Sequence, residues 1–244
     1  MQQIFPEPAQ LDHDALVEAY AYPDSGGKPY VRANMVISLD GSAQGPDGRS
    51  GTLSSPPDKR VFGMLRGLAD VILVGASTAR VESYGKAEPR PDVAELRARL
   101  GQRPTPPIAV VSSRLDLEPD GPLFTGPGEP TLVLTSRSAP QPRRAALATV
   151  TEVVALGAQR VDLAQALAEL AERGLSRVLC EGGPHLLGQL ATAGLLDELC
   201  LTVSPRLRGG DALRALEGPL VTDGSMDLVH VIEEDGTLLT RWRR

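Results

Sequence analysis

The chain is poor in cysteine, histidine and lysine, and each shortage closes off a class of chemistry. Cys180 and Cys200 are the only cysteines in 244 residues. Each sits in an apolar run that reads as a buried strand and they form no C-x-x-C pair, so neither a disulfide framework nor a thiolate zinc site is expected. His13, His185 and His230 are too scattered for metal-ligand spacing, and no metal is expected. Lysine occurs only at Lys28, Lys59 and Lys86, so arginine carries nearly all the positive charge. An arginine taken alone is therefore weak evidence for a phosphate site.

Long apolar runs are also missing. No stretch is long enough to span a bilayer, and the opening MQQIFPEPAQLDHDAL lacks the basic start and apolar middle of a secretion signal, so a cytoplasmic protein is expected. A formal net charge of −6 and an isoelectric point near 5.2 argue against nucleic acid or anionic membrane as partner and favour a small molecule. No charge block or low-complexity linker divides the sequence, which predicts a single domain over residues 1–244. The 21 prolines are spread through connections and read as stiff loops.

What is present alternates. Strands are predicted over residues 30–38, 70–75, 108–112, 131–135, 151–155, 177–180, 199–203, 228–233 and 237–242. Helices are predicted over 56–68, 92–100 and 143–149, over 162–172 with Asp162 as cap, and from Pro184 onward through Leu186, Leu187, Leu190 and Leu195. Asp235-Gly236 marks a tight hairpin between the last two strands. Alternating βα units closed by a hairpin imply an α/β fold with a mostly parallel central sheet, flanking helices and an antiparallel C-terminal hairpin.

Ligands of such sheets gather at the carboxyl ends of the strands. Four motifs lie there: Ser38-Leu39-Asp40-Gly41, Gly75-Ala76-Ser77-Thr78, Ser112-Ser113-Arg114 and Glu181-Gly182-Gly183. Glycines admit a close backbone approach, and hydroxyls and helix N-termini bind phosphate oxygens, so the set suits a dinucleotide as well as plain turn capping. There is no G-x-G-x-x-G and no evident acid for a ribose 2′-hydroxyl. Ser112, Ser113 and Arg114 instead offer hydroxyls and a guanidinium to a 2′-phosphate, which favours NADPH over NADH.

The segments PYVRANMVISLDGS from Pro29, GTLSSPPDKRVFGMLRGLADVILVGAST from Gly51, VVSSRLDLEP from Val110, EGGP from Glu181 and SPRLRGG from Ser204 resemble, in order and spacing, the reductase domain of riboflavin biosynthesis. The resemblance spans residues 29–243 and leaves 1–28 as an extension. It implies a dihydrofolate-reductase-like fold, a homodimer and NADPH-dependent reduction of 5-amino-6-(5-phosphoribosylamino)uracil, with dihydrofolate, a pterin, as the alternative substrate and a non-catalytic NADP-binding protein as the alternative role. Carried over residue by residue, it implies cofactor contacts at Val36, Thr78, Glu82, Gly182, Gly183, Pro184, His185, Leu186 and Leu187, beside Gly75 and the Ser112–Arg114 turn. It implies substrate contacts at Ser50, Ser54, Arg66 and Glu181, and Asn34 stands where bifunctional members carry lysine and stand-alone members carry asparagine. Glu181 and Asp40 are the catalytic candidates, Asp40 being equally readable as a turn residue beside Gly41. Glu82-Ser83-Tyr84-Gly85 departs from the family's acidic pair and proline, and no deaminase signature of His-Glu and Cys-x-x-Cys occurs.

Overall fold

A computed structural model describes residues 1–219, 221 and 224–244. In chain order the elements begin with β1 (Gln2–Phe5), β2 (Ala9–Gln10), α1 (His13–Ala19), β3 (Tyr30–Ile37), α2 (Pro56–Leu68), β4 (Val71–Gly75) and α3 (Ala76–Val81). They continue with α4 (Pro91–Arg99), β5 (Ile108–Val111), β6 (Leu132–Thr135), α5 (Gln141–Leu147), β7 (Glu152–Ala155) and α6 (Leu163–Glu172). The last are β8 (Arg177–Cys180), α7 (Pro184–Thr192), β9 (Glu198–Val203), β10 (Asp227–Glu234) and β11 (Thr237–Arg243). The chain gathers into two compact units, one made of Met1–Pro23, Val31–Leu65 and Cys180–Arg244, the other of Asp24–Tyr30 and Arg66–Leu179.

The second unit carries the strand order β8-β4-β5-β6-β7. From β4 to β7 the ladders are parallel, with Ile72 opposite Ile108, Val110 opposite Val133 and Val133 opposite Val153. Strands in such a ladder are covered on both faces, which is why β4 reads as an unbroken apolar run and is buried from Val71 to Val74. Ile72, Val74, Ile108, Val110, Val133 and Leu147 form the centre of its core, each contributing about 1.5–3 kcal/mol by leaving water. Helix α6 shows how sequence becomes packing. Asp162 caps it by accepting from Gln165 N–H at 3.0 Å, its stripe of Leu163, Ala166, Leu167 and Leu170 is buried, and Gly174 ends it at φ +76°.

The first unit carries the order β2-β1-β10-β11-β9-β3. Pairing is antiparallel from β2 to β9 and turns parallel between β9 and β3. Asp235 and Gly236 both take positive φ, 53° and 73°, as the tight hairpin between β10 and β11 requires. The α/β class with helices flanking a mixed sheet is thus the observed one, and its antiparallel part reaches further than that hairpin. The reason lies in residues 1–10, which the sequence leaves outside the family-like core. They pair with β10, Gln2 opposite Glu233, and supply the edge of this sheet portion.

This unit also buries a charged knot. Arg32 and Arg241 both bond the carboxylate of Glu198, the latter at 2.8 Å, and Glu198 and Arg32 are inaccessible to solvent. Their remaining donors reach the carbonyls that end α1: Arg32 bonds Tyr20 O at 2.7 Å and Arg241 bonds Ala19 O. Burial alone would raise the Glu198 carboxyl, but the two guanidinium groups outweigh it and hold it below its usual range.

Candidate functional site

In the first unit, three sequence motifs sit on defined local geometry. The turn after β3 is built by Ser38, whose hydroxyl donates to Asp40 at 2.5 Å and accepts from Ser42 N–H at 3.0 Å, while Gly41 takes φ +86°. The Asp40 carboxylate also accepts from the N–H groups of Arg208 at 3.0 Å and Gly209 at 2.6 Å. The Ser38 hydroxyl foremost, then these two amides, lower its carboxyl to about 2. An acid held there has no proton to give near neutral pH, so of its two sequence readings the turn role is the one its contacts carry. Asn34 and Val36 lie on one face of β3, opposite Cys200 and Thr202 of β9, and Met35 lies on the other.

The loop before α2 holds Ser50 and Ser54. Ser50 O accepts from Leu53 N–H at 2.9 Å and Ser54 N–H at 3.3 Å, and the Ser54 hydroxyl bonds the buried carboxylate of Asp58 in the first turn of α2. Ser54 thereby helps start the helix, and its hydroxyl keeps acceptor capacity only.

At the end of β8, Glu181 is 7 % exposed. Gly182 follows at φ +85°, where an added Cβ would lie 3.2 Å from Met35 Sδ, and the Gly182–Gly183 peptide is cis. Gly183 is the N-cap of α7, extended and without a side chain, and Pro184 occupies the first turn. His185 is exposed. Leu186 and Leu187 are both buried, and their N–H groups bond Gly183 O at 2.9 and 3.0 Å. The periodicity that makes α7 amphipathic demands this. Gly182 and Gly183 are themselves buried, Pro184 is half-buried, and His185 is the exposed residue of this helix start.

The second unit holds the other candidates. Gly75 is the N-cap of α3, Thr78 lies half-buried in it, and Glu82 is its C-cap with N–H to Thr78 O at 2.9 Å. Arg66, in the last turn of α2, lays its guanidinium over the Tyr84 ring at 5.4 Å. Ser112 is buried. Its hydroxyl accepts from Leu115 N–H at 2.9 Å, so its side chain shapes the turn and does not point outward to a phosphate. Ser113 and Arg114 are exposed. Two arginines that no motif marks come to the same turn. Arg143 donates to Arg114 O at 3.3 Å, and both Arg143 and Arg80 pair with Asp116, at 3.4 and 3.3 Å. Arg80 lies two residues after Thr78 and so has a local cue, whereas Arg143 arrives from α5 and has none.

The sequence model of the RibD C-terminal domain matches residues 29–237. The chain belongs to this reductase family. Among its relatives, the 2,5-diamino-6-ribosylamino-4(3H)-pyrimidinone 5′-phosphate reductase of Archaeoglobus fulgidus is 30% identical over 197 residues, 81% of this chain and 87% of that one. The enzyme of the same description from Methanothermobacter thermautotrophicus is 33% identical over 189 residues, 78% and 83% of the two chains. The fold is shared with the crystal structure of a pyrimidine reductase-like protein from Corynebacterium diphtheriae, at a TM-score of 0.82 and 28% identity over 93% of this chain and 97% of that one. In this family of NAD(P)H-dependent pyrimidine reductases, the first unit carries a helix start at Gly183 that has no capping side chain, and the second unit by itself carries the exposed Ser113-Arg114 turn with Arg80 and Arg143 beside it.

Proposed function

We propose that the chain reduces the ribosyl group of a 6-ribosylaminopyrimidine 5′-phosphate to its ribityl form, with NADPH as reductant. The observation that carries this reading is the family match over residues 29–237, joined to a buried carboxylate, Glu181, at the mouth of the Gly182-Gly183 turn. Bound NADPH supplies the hydride. The chain's own residues supply position. Gly182 and Gly183 give α7 a start without side chains, and Ser113, Arg114 and Arg80 meet a 2′-phosphate. Glu181 accepts hydrogen bonds from the amino and imino edge of the base. Arg66, steadied over Tyr84, holds a ribose or phosphate oxygen.

Two bases fit this class. The sequence resemblance implies 5-amino-6-(5-phosphoribosylamino)uracil, whereas the archaeal relatives are named for the 2,5-diamino pyrimidinone. Asn34, the residue of stand-alone members, sides with the archaeal relatives, and we propose the diamino compound as the better substrate. The test is NADPH oxidation followed at 340 nm with each pyrimidine phosphate and with dihydrofolate. Turnover of a pyrimidine phosphate with the higher kcat/KM for the diamino compound is expected. Oxidation by dihydrofolate alone would reassign the substrate, and tight NADPH binding without turnover of any of the three would make the chain a binding protein.

A further inference from the structure

The segment that follows β9, Ser204 to Gly210, is fastened to the turn after β3 with unusual completeness. Arg206 O accepts from Leu39 N–H at 2.8 Å, and the Asp40 carboxylate takes both the Arg208 and Gly209 amides. Ala43 N–H bonds Leu213 O at 2.8 Å, and Ser42 and Arg214 form an antiparallel bridge a few residues on. Arg206, Leu207 and Arg208 are thereby held as one wall of a cleft of about 390 Å³. The opposite wall is Pro46, Asp47, Thr52 and Leu53, on the loop that carries Ser50 and Ser54. That volume lies within the range of small-molecule pockets, about 300–1,000 Å³.

The lining has two characters. Leu207 is 79 % exposed and Leu39, bonded beside it, is 60 % exposed. With the exposed Pro46 they present apolar surface that a ligand body would cover. The charge is supplied by two guanidinium groups. Arg208 Nε is shielded from solvent and has no hydrogen-bond partner among the described residues, an arrangement that leaves a donor's desolvation uncompensated until an acceptor arrives. The one carboxylate on the walls is turned to its own loop: Asp47 Oδ1 accepts from Arg49 N–H at 3.1 Å and the Thr52 hydroxyl at 3.3 Å. The Asp40 carboxylate beside the same wall is bonded to the Ser38 hydroxyl and to the Arg208 and Gly209 amides, which leaves the guanidinium groups of Arg206 and Arg208 as the charged donors of that wall. Forked donors of this kind match a phosphate dianion.

We propose that the cleft between Pro46–Leu53 and Arg206–Arg208 binds the phosphate of a small molecule that also carries an apolar or planar body, with Arg206 and Arg208 as the phosphate ligands and Leu207 as the contact for the body. The phosphate has two possible sources, the 5′-phosphate of the pyrimidine substrate and a phosphate of the dinucleotide. Naming those sources rests on the reductase reading above; the anion site itself does not.

The experiment measures binding without turnover, so a failed reductase assay leaves it intact. Inorganic phosphate, ribose 5-phosphate and NADPH are titrated into the full chain and into the R206A/R208A variant, with R99A on the exposed face of α4 as control, by amide chemical-shift perturbation and calorimetry. The double variant is expected to weaken inorganic phosphate about tenfold or more, with R99A unchanged and wild-type binding falling as salt rises. A parallel loss for ribose 5-phosphate alone assigns the site to the substrate, and one for NADPH alone assigns it to the cofactor. No phosphate binding by the wild type, or equal binding by wild type and variant, overturns the proposal. Should removing Arg208 lower the melting temperature, R206Q at the exposed arginine carries the same test, because that side chain has no part in holding the loop.

Discussion

Glu181 and Arg114 are the two side chains on which the reductase reading can be tested most sharply. Glu181→Gln keeps size and polarity while removing charge. If Glu181 meets the pyrimidine, NADPH affinity stays near wild type and kcat/KM falls by about 10- to 100-fold, the worth of a charge-assisted contact of roughly 1.5–3 kcal/mol. Wild-type kinetics with a lowered melting temperature would instead make it a carboxylate that only serves the start of α7. Arg114→Ala is expected to raise the Kd for NADPH and leave NADH little changed. Arg80 and Arg143 stand beside the same turn and share the charge, so the loss is expected near the lower end, about tenfold. Fluorescence titration of both cofactors checks it, and equal affinity for the two in the wild type would remove the 2′-phosphate argument.

The turn between β8 and α7 is the element whose backbone leaves least choice. Gly182 holds φ +85° and its missing Cβ faces Met35 Sδ at 3.2 Å. Gly182→Ala is therefore expected to cost about 1–2 kcal/mol for the left-handed conformation, seen as a lower melting temperature, and to weaken NADPH binding as the turn shifts. Gly183, at φ −72°, carries no such backbone demand, so Gly183→Ala should keep the fold, and any loss of cofactor affinity it causes reports occupied space alone. The contrast between the two variants separates strain from contact. Much of this element is legible in the sequence, because an apolar strand, an acid, two glycines and a proline can hardly be read otherwise. Which glycine bears the strain is not legible, since that depends on where Met35 projects from a strand far away in the chain.

At the scale of the whole molecule, stability should depend on pH through His230. Burial foremost, then the Arg241 charge, depresses its pKa to about 4 from 6.5, and its ring meets Tyr20 edge-on at 4.7 Å. The folded state holds the ring neutral, so this stability is complete above pH 6.5 and is lost as pH falls toward 4, by up to about 3 kcal/mol. Melting curves between pH 7 and 4 should show a fall that His230→Leu flattens, and parallel curves for the two proteins would count against it. The assembly is expected to be a homodimer, as the family resemblance implies. A candidate face is the N-terminal edge, where Ile4 and Phe5 are 46 % and 40 % exposed, since the strands over 199–203 and 228–242 lie inside the sheet portion. Sedimentation should return about twice 25.8 kDa, and Ile4→Asp with Phe5→Asp should lower it; a wild-type monomer at micromolar concentration would exclude the dimer.

What the sequence by itself determined about this protein is whatever local chemistry decides. Period-two and period-3.6 patterns placed the strands and helices, Asp235-Gly236 placed the hairpin, Asp162 placed a cap, and ordered motifs from Pro29 to Gly210 placed the family. These features depend on neighbours a few residues apart, so one dimension suffices to read them. What only the tertiary structure decided involves partners far apart in the chain. Residues 1–10 look like an extension until β10 gives their backbone groups a ladder. Asp40 looks catalytic until amides 168 and 169 residues away claim its carboxylate. Ser112 looks like a phosphate ligand until its hydroxyl is found closing its own turn, and Arg143 and Arg208 acquire their settings only when helix and loop arrive beside them. A polar side chain has several acceptors or donors open to it, and the one it keeps is chosen by which long-range contacts the packed core has already paired.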